Sequence, residues 1–131
     1  MTRRATCCCG ACSIAVEGEP VVNGVCHCDN CRRRTGSAFG WSAYFPDDRI
    51  VAIEGDLAVY VLDAADPNRQ RRSFCPACGT TLFWRASYFP GHAGIAGGCF
   101  VEGQLDEPGL TATDDKRLHW LTLPDNWART V

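Results

Sequence analysis

Nine of the ten cysteines fall in three short clusters: Cys7-Cys8-Cys9-Gly10-Ala11-Cys12, Cys26-His27-Cys28-Asp29-Asn30-Cys31 and Cys75-Pro76-Ala77-Cys78-Gly79. In a chain of 131 residues that density gives sulfur a structural part, as a metal ligand or in disulfides. Compartment decides between the two. Met1 to Thr6 carries basic residues with no apolar stretch behind them, so no secretory signal is expected. The nearest approach to a membrane span, Ala93 to Val101, is broken by glycines and falls short of the roughly 18 apolar residues required. A cytoplasmic protein with no membrane partner is expected, and in a reducing compartment the clusters read as metal ligands.

Counting ligands separates the clusters. Side chains two apart on an extended backbone share a face, so Cys7 with Cys9, and Cys26 with Cys28, can each offer two sulfurs to one ion. The Cys75-Pro76-Ala77-Cys78-Gly79 segment is a zinc knuckle, stiffened by its proline and turned by its glycine. A structural zinc is tetrahedral and closed, so Cys75 and Cys78 need a second pair, and Cys7 and Cys9 match it. The middle cluster supplies three sulfurs by itself, Cys26, Cys28 and Cys31. Three ligands with one position open is the pattern of a catalytic or substrate-binding zinc. Cys99, His27, His92 and His119 are the side chains that could fill that position and make a second structural site instead. By strand alternation Cys8 faces away from its neighbours and reads as a small buried apolar residue; His27 reads as a core residue behind the ligands. Cys12 has no assigned role.

The balance of 13 Lys plus Arg against 15 Asp plus Glu, a formal −2, argues against a nucleic-acid partner. Seven deprotonated thiols and two Zn²⁺ lower the total by a further 3. Such centres want cations nearby, and Arg32-Arg33-Arg34 follow the open cluster directly. Most of the three are expected to be solvated and to screen the site, while one can meet an anionic substrate. Arg69 to Arg72 reads as the exposed start of a strand.

One domain over residues 1–131 fits the length, and no repeat is present. Runs of β-branched and aromatic residues between turn signals predict strands over 12–17, 21–26, 39–45, 49–53, 57–62, 71–75, 80–85 and 118–123. Ile50 with Ala52, and Leu57 with Val59 and Val61, show the alternation of half-buried strands. The best helix candidate is a turn or two over 29–34, 63–70 reads as a polar connector, and Pro90-Gly91-His92 as a loop. The fold class is all-β, antiparallel, with little helix.

The motifs Cys7-x-Cys9-Gly10-Ala11, Cys26-His27-Cys28-x-x-Cys31-Arg32 with Thr35-Gly36-Ser37-Ala38-Phe39, and Phe74-Cys75-Pro76-x-Cys78-Gly79-Thr80-x-Leu82-Phe83-Trp84 resemble the glutathione-dependent formaldehyde-activating enzyme family, which also holds centromere protein V. The resemblance spans about residues 5 to 123. It implies a tent-like fold of antiparallel sheets stabilised by zinc, with a structural zinc on Cys7, Cys9, Cys75 and Cys78 and a second zinc on Cys26, Cys28 and Cys31. The implied activity is that of a carbon–sulfur lyase joining glutathione to formaldehyde as S-(hydroxymethyl)glutathione. The chain departs from the family's pattern at Cys8 and Cys12, at Cys99, and at Leu118-His119-Trp120, where members often carry His-Ile-Trp.

The expected function is therefore a zinc lyase acting on a small-molecule thiol and a small aldehyde, with Cys26, Cys28 and Cys31 as the reactive centre. Phe39, Trp41 and Phe83 are aromatic candidates for its walls. The alternatives are a zinc-stabilised binding module without chemistry, and a redox protein in which the middle cysteines pair when metal-free.

Overall fold

In a computed structural model describing residues 1–131, eleven strands form two sheets, and one short helix connects two neighbouring strands of the larger. The strands are β1 (Thr2–Thr6), β2 (Ser13–Glu17), β3 (Val22–Cys26), β4 (Gly40–Pro46), β5 (Ile50–Glu54), β6 (Ala58–Val61), β7 (Arg71–Phe74), β8 (Thr81–Arg85), β9 (His92–Ala96), β10 (Leu110–Ala112) and β11 (Ala128–Arg129); α1 spans Asp29–Thr35. A three-stranded sheet runs β1-β2-β5, and an eight-stranded sheet runs β11-β10-β3-β4-β9-β8-β7-β6.

Alternation along the large sheet divides its faces. Ala43, Phe45, Phe83 and Ile95 point one way and bury themselves against Ile14 and Val16 of the small sheet. Ser42, Tyr44 and Trp84, the neighbours of these residues in sequence, point the other way and line a cavity. Gly94 of β9 allows this second face to pack: a Cβ there would collide with the Trp84 indole and stand 2.8 Å from Tyr44.

Helix α1 is built by its ends. The Cys28 side chain is the N-cap and accepts from the Cys31 N–H. Gly36, at φ 62° and ψ 33°, closes the other end in the left-handed conformation. Asp29 sits in the first turn and Arg32, Arg33 and Arg34 in the last, the charge order that suits a helix dipole.

Most predicted strands are present with ends shifted by a residue or so, and four features differ. The sheet is mixed, because β10 pairs parallel to both β3 and β11. The chain reaches the edge of β3 by a long return, pinned by Gly109 N–H to Asn23 O at 3.0 Å and Asn23 Nδ2 to Asp106 O at 2.9 Å. Residues 118–123 form no strand; Leu121 N–H closes a turn onto Leu118 O at 3.0 Å, and β11 takes the sheet edge instead. In β6, at the opposite edge, Val59 is half exposed, so the expected alternation through Leu57, Val59 and Val61 fails where no layer covers the strand. Strand β9 begins at His92, inside the expected loop.

Candidate metal centres and a thiol-lined cavity

The four sulfurs of Cys7, Cys9, Cys75 and Cys78 lie within 4.8 Å of one another, and so do the three of Cys26, Cys28 and Cys31. No disulfide is formed. In the quartet, Cys7 to Cys9 and Cys9 to Cys75 are each 3.7 Å. Ligands 2.3 Å from a tetrahedral zinc stand about 3.8 Å apart, so the quartet has the size of a thiolate–zinc site.

The quartet is made by two matching knuckles. Gly79 N–H bonds to Cys75 O at 2.7 Å, and Cys75 N–H to Thr80 O at 2.9 Å. In the first cluster Gly10 N–H bonds to Cys7 O and Cys7 N–H to Cys12 O, both at 3.0 Å. Gly10 and Gly79 share φ 82°. Strand β1 ends at Thr6, so a turn, and not an extended backbone, aims Cys7 and Cys9 together. This turn also corrects the expectation for Cys8, which is exposed, while Cys12 takes the buried position and donates its N–H to Cys7 Sγ at 3.2 Å. That N–H pulls the Cys7 thiol below its ordinary value. The Thr80 hydroxyl, 3.2 Å from Cys78 Sγ, holds that thiol down to about 5. Cys9 goes the other way: against a lowering backbone bond from Ala11, hydrogen bonds with Cys7 and Cys75 push its thiol up to about 12. Ionisation is thus favoured at Cys7 and Cys78, and a bound cation would have to displace the Cys9 proton.

In the trio, Cys26 ends β3, Cys28 caps α1 and Cys31 lies in its first turn. Between the first two, His27 turns inward and is wholly buried, as the alternation predicts. Its Nε2 is 2.8 Å from the Thr111 hydroxyl, which donates at 2.8 Å to Asp114. A hydroxyl has one proton and an ionised carboxylate only accepts, so His27 donates from Nε2. Burial, opposed by the Asp114 charge, lowers the His27 pKa. Asp114 is held below the usual carboxylate range by Thr111, with Arg129 and Arg117 adding to it. The chain His27–Thr111–Asp114 thus ties the cluster-bearing segment to β10 and the C-terminal residues.

Thr113 follows β10 and is the one non-glycine residue with positive φ, at 53°. Its hydroxyl is 3.7 Å from Cys26 Sγ, and strain of this kind gathers at functional positions. Hydrogen bonding from Cys31, with help from Cys28 and Thr113, brings the Cys26 thiol down to about 5 and pushes that of Cys31 up. A cluster in which one sulfur is readily ionised and another resists suits shared ligation of a cation.

The trio forms one wall of a cavity of about 350 Å³. Its other walls are apolar, from Val22, Val25, Leu62 and Leu110, and aromatic, from Tyr44, Trp84 and Tyr88. The expected aromatic walls lie elsewhere: Phe83 is in the core, Phe39 packs edge-on to His27, and Trp41 lies over Gly97 and bonds to Asn23 at 2.8 Å. The parity of β8 decides the first case, since Trp84 and not Phe83 faces the cavity. Cys99, His92 and His119 join neither sulfur group; Cys99 packs against the core beside the quartet, where burial raises its pKa. Arg34 crosses the cavity wall with its guanidinium 4.1 Å from the Trp84 ring centroid.

A small, mostly β protein with two thiol clusters, one closed upon itself and one opening on a cavity, is the class that fold and sites define. The chain belongs to the glutathione-dependent formaldehyde-activating enzyme family, whose pattern matches residues 2–113. It is also similar to a Rhodobacter sphaeroides protein of known crystal structure, at 25% identity and TM-score 0.60, over 76% of this chain and 88% of that one. No curated protein matches it.

Proposed function

We propose that the cavity beside Cys26, Cys28 and Cys31 joins a glutathione-like thiol to formaldehyde or a similarly small aldehyde, forming an S-(hydroxymethyl) adduct, and catalyses the reverse cleavage. A carbon–sulfur bond forms at the carbonyl carbon, the carbonyl oxygen becomes a hydroxyl, and the proton released by the thiol balances the one the oxygen gains. One observation carries this reading: three sulfurs, with no fourth ligating side chain among them, open on a cavity large enough for a small organic ligand.

Cys26, Cys28 and Cys31 are the residues that would hold zinc there, and Cys7, Cys9, Cys75 and Cys78 those that would hold a second, structural zinc. Zinc in a site with a free position supplies Lewis acidity and lowers the pKa of a thiol or water that it binds. The chain's own groups do the remainder. Val22, Val25, Leu62 and Leu110 keep the reacting atoms out of bulk water. Tyr44 accepts from Trp84 Nε1 at 3.1 Å, which leaves its hydroxyl proton for a ligand oxygen, and burial raises its pKa so that the proton stays on. Holding thiol and aldehyde together supplies most of the rate, because the uncatalysed addition is already easy.

Exchange spectroscopy by NMR on glutathione, formaldehyde and their adduct at equilibrium tests the proposal. The zinc-loaded protein is expected to raise the exchange rate, and Cys31→Ser to abolish the increase. Unchanged exchange with the wild-type protein overturns the proposal in favour of a binding module.

A further inference from the structure

The groove that continues from the cavity past Asn30 and Leu62 is lined by Arg33, Arg34, Arg69 and Arg72, with Asp29 and Asp63 as its acidic residues. Asp63 is taken by Arg69, at 3.6 Å. Neither Arg34 nor Arg72 has a carboxylate within ion-pair distance, although both are half-buried. Arg72 is fixed by its Nε to Gln70 Oε1 at 2.7 Å and by its Nη2 to Asn30 Oδ1, which leaves Nη1 with both protons free. Gln70 is buried and anchored in turn to the Tyr88 hydroxyl at 2.9 Å. Arg34 makes no hydrogen bond to the protein, and its Nη2 is enclosed without a partner. It stays in place by lying on Trp84 and over Gly40, where a Cβ would stand 2.5 Å from that nitrogen and 3.1 Å from Cys31 Cβ. Burial and the neighbouring Arg34 charge both lower the Arg72 pKa. Two desolvated, mutually repelling guanidinium groups with unspent donors cost stability unless an anion joins them.

We propose that Arg34 and Arg72 form a carboxylate-binding subsite on the rim of the three-cysteine cavity, selecting a thiol that carries a carboxylate remote from its sulfur. The inference rests on the reading of that cavity as a thiol site and names the chemistry its substrate must bear. A planar carboxylate matches the paired N–H groups of guanidinium, and Arg72, locked through Asn30 and Gln70, is pre-organised to receive it. The rival explanation is that the arginines only offset thiolate charge, in which case they govern metal retention and not ligand choice.

Calorimetry on the zinc-loaded protein separates these with two probes: S-methylglutathione, which has carboxylates and no free thiol, and its diethyl ester, which has neither. S-methylglutathione is expected to bind, and the ester at least about tenfold more weakly. Arg72→Gln and Arg34→Lys are each expected to weaken S-methylglutathione by about tenfold while leaving ester affinity and zinc content unchanged. Equal affinity for acid and ester overturns the subsite, as does undetectable binding of the acid. So does loss of zinc in both variants with no change in discrimination. If a variant fails to fold, the wild-type comparison of acid with ester still decides. Carboxylate recognition without adduct exchange would defeat the proposed reaction and leave the subsite standing.

Discussion

At Thr113 a β-branched residue holds φ 53° while its hydroxyl stands 3.7 Å from Cys26 Sγ. The left-handed conformation costs on the order of 1 kcal/mol, and the neighbouring bonds from Asp114 N–H and Thr113 N–H to Thr130 keep it in place. Thr113→Val keeps the shape and removes the hydroxyl, so metal affinity at the three-cysteine cluster is expected to fall about three- to tenfold, with little change in melting temperature, as competition with a chromogenic chelator would show. Nothing in the sequence marks Thr113, because both its strain and its partner depend on β10 arriving beside β3. The cysteines themselves were legible, since ligand identity and spacing survive without a fold. Cys8 and Cys12 were not: the first cluster is a knuckle, and that geometry exchanges which of the two is exposed.

Among the elements, strand parity explains what could and could not be read. Phe83 and Trp84 are adjacent, and only the register, Phe83 opposite Ser73 and Ile95 and Trp84 opposite Arg72 and Gly94, settles which one faces the cavity. Strand β9 escaped recognition because His92–Ala96 is small and glycine-bearing, yet Gly94 is what admits Trp84 and Tyr44 on its face. Gly94→Ala should therefore cost about 1–3 kcal/mol in urea unfolding and lower ligand affinity in the cavity, since the added methyl displaces both aromatic walls. At the β10 end, Asp114 binds Thr111, Arg117 and Arg129 and has a depressed pKa. A carboxyl with a folded pKa below its unfolded value stabilises the protein above the unfolded value, and that stabilisation fades as pH falls through the folded one. Wild-type melting temperature should thus drop below about pH 4 more steeply than that of Asp114→Asn, whose melting temperature should already be several degrees lower at pH 7. If the two pH profiles run parallel, Asp114 is not the tie between β10 and the His27 segment.

For the whole molecule, the quartet joins the chain's first turn to the hairpin between β7 and β8, some 66 residues apart, where the small sheet meets the large one. The trio joins only β3 to its own following helix. Removing a quartet ligand is therefore expected to open the sandwich, and removing a trio ligand to leave both sheets paired. The mostly β class and the grouping of the cysteines into a quartet and a trio were readable from strand length and ligand spacing. The parallel β10–β3 pairing was not, because it depends on a long return with no local signal. Cys75→Ser should be insoluble or melt cooperatively far below the wild type, as a structural zinc contributes on the order of 10 kcal/mol to small domains.

Native mass spectrometry of the wild type and of Cys31→Ser, paired with their circular dichroism, tests the inequality of the two clusters most directly. Two zinc ions per wild-type chain are expected, and one per Cys31→Ser chain with an unchanged β spectrum and melting temperature. A Cys31→Ser protein that unfolds as Cys75→Ser does, or that still carries two ions, would contradict the division into scaffold and reactive centre.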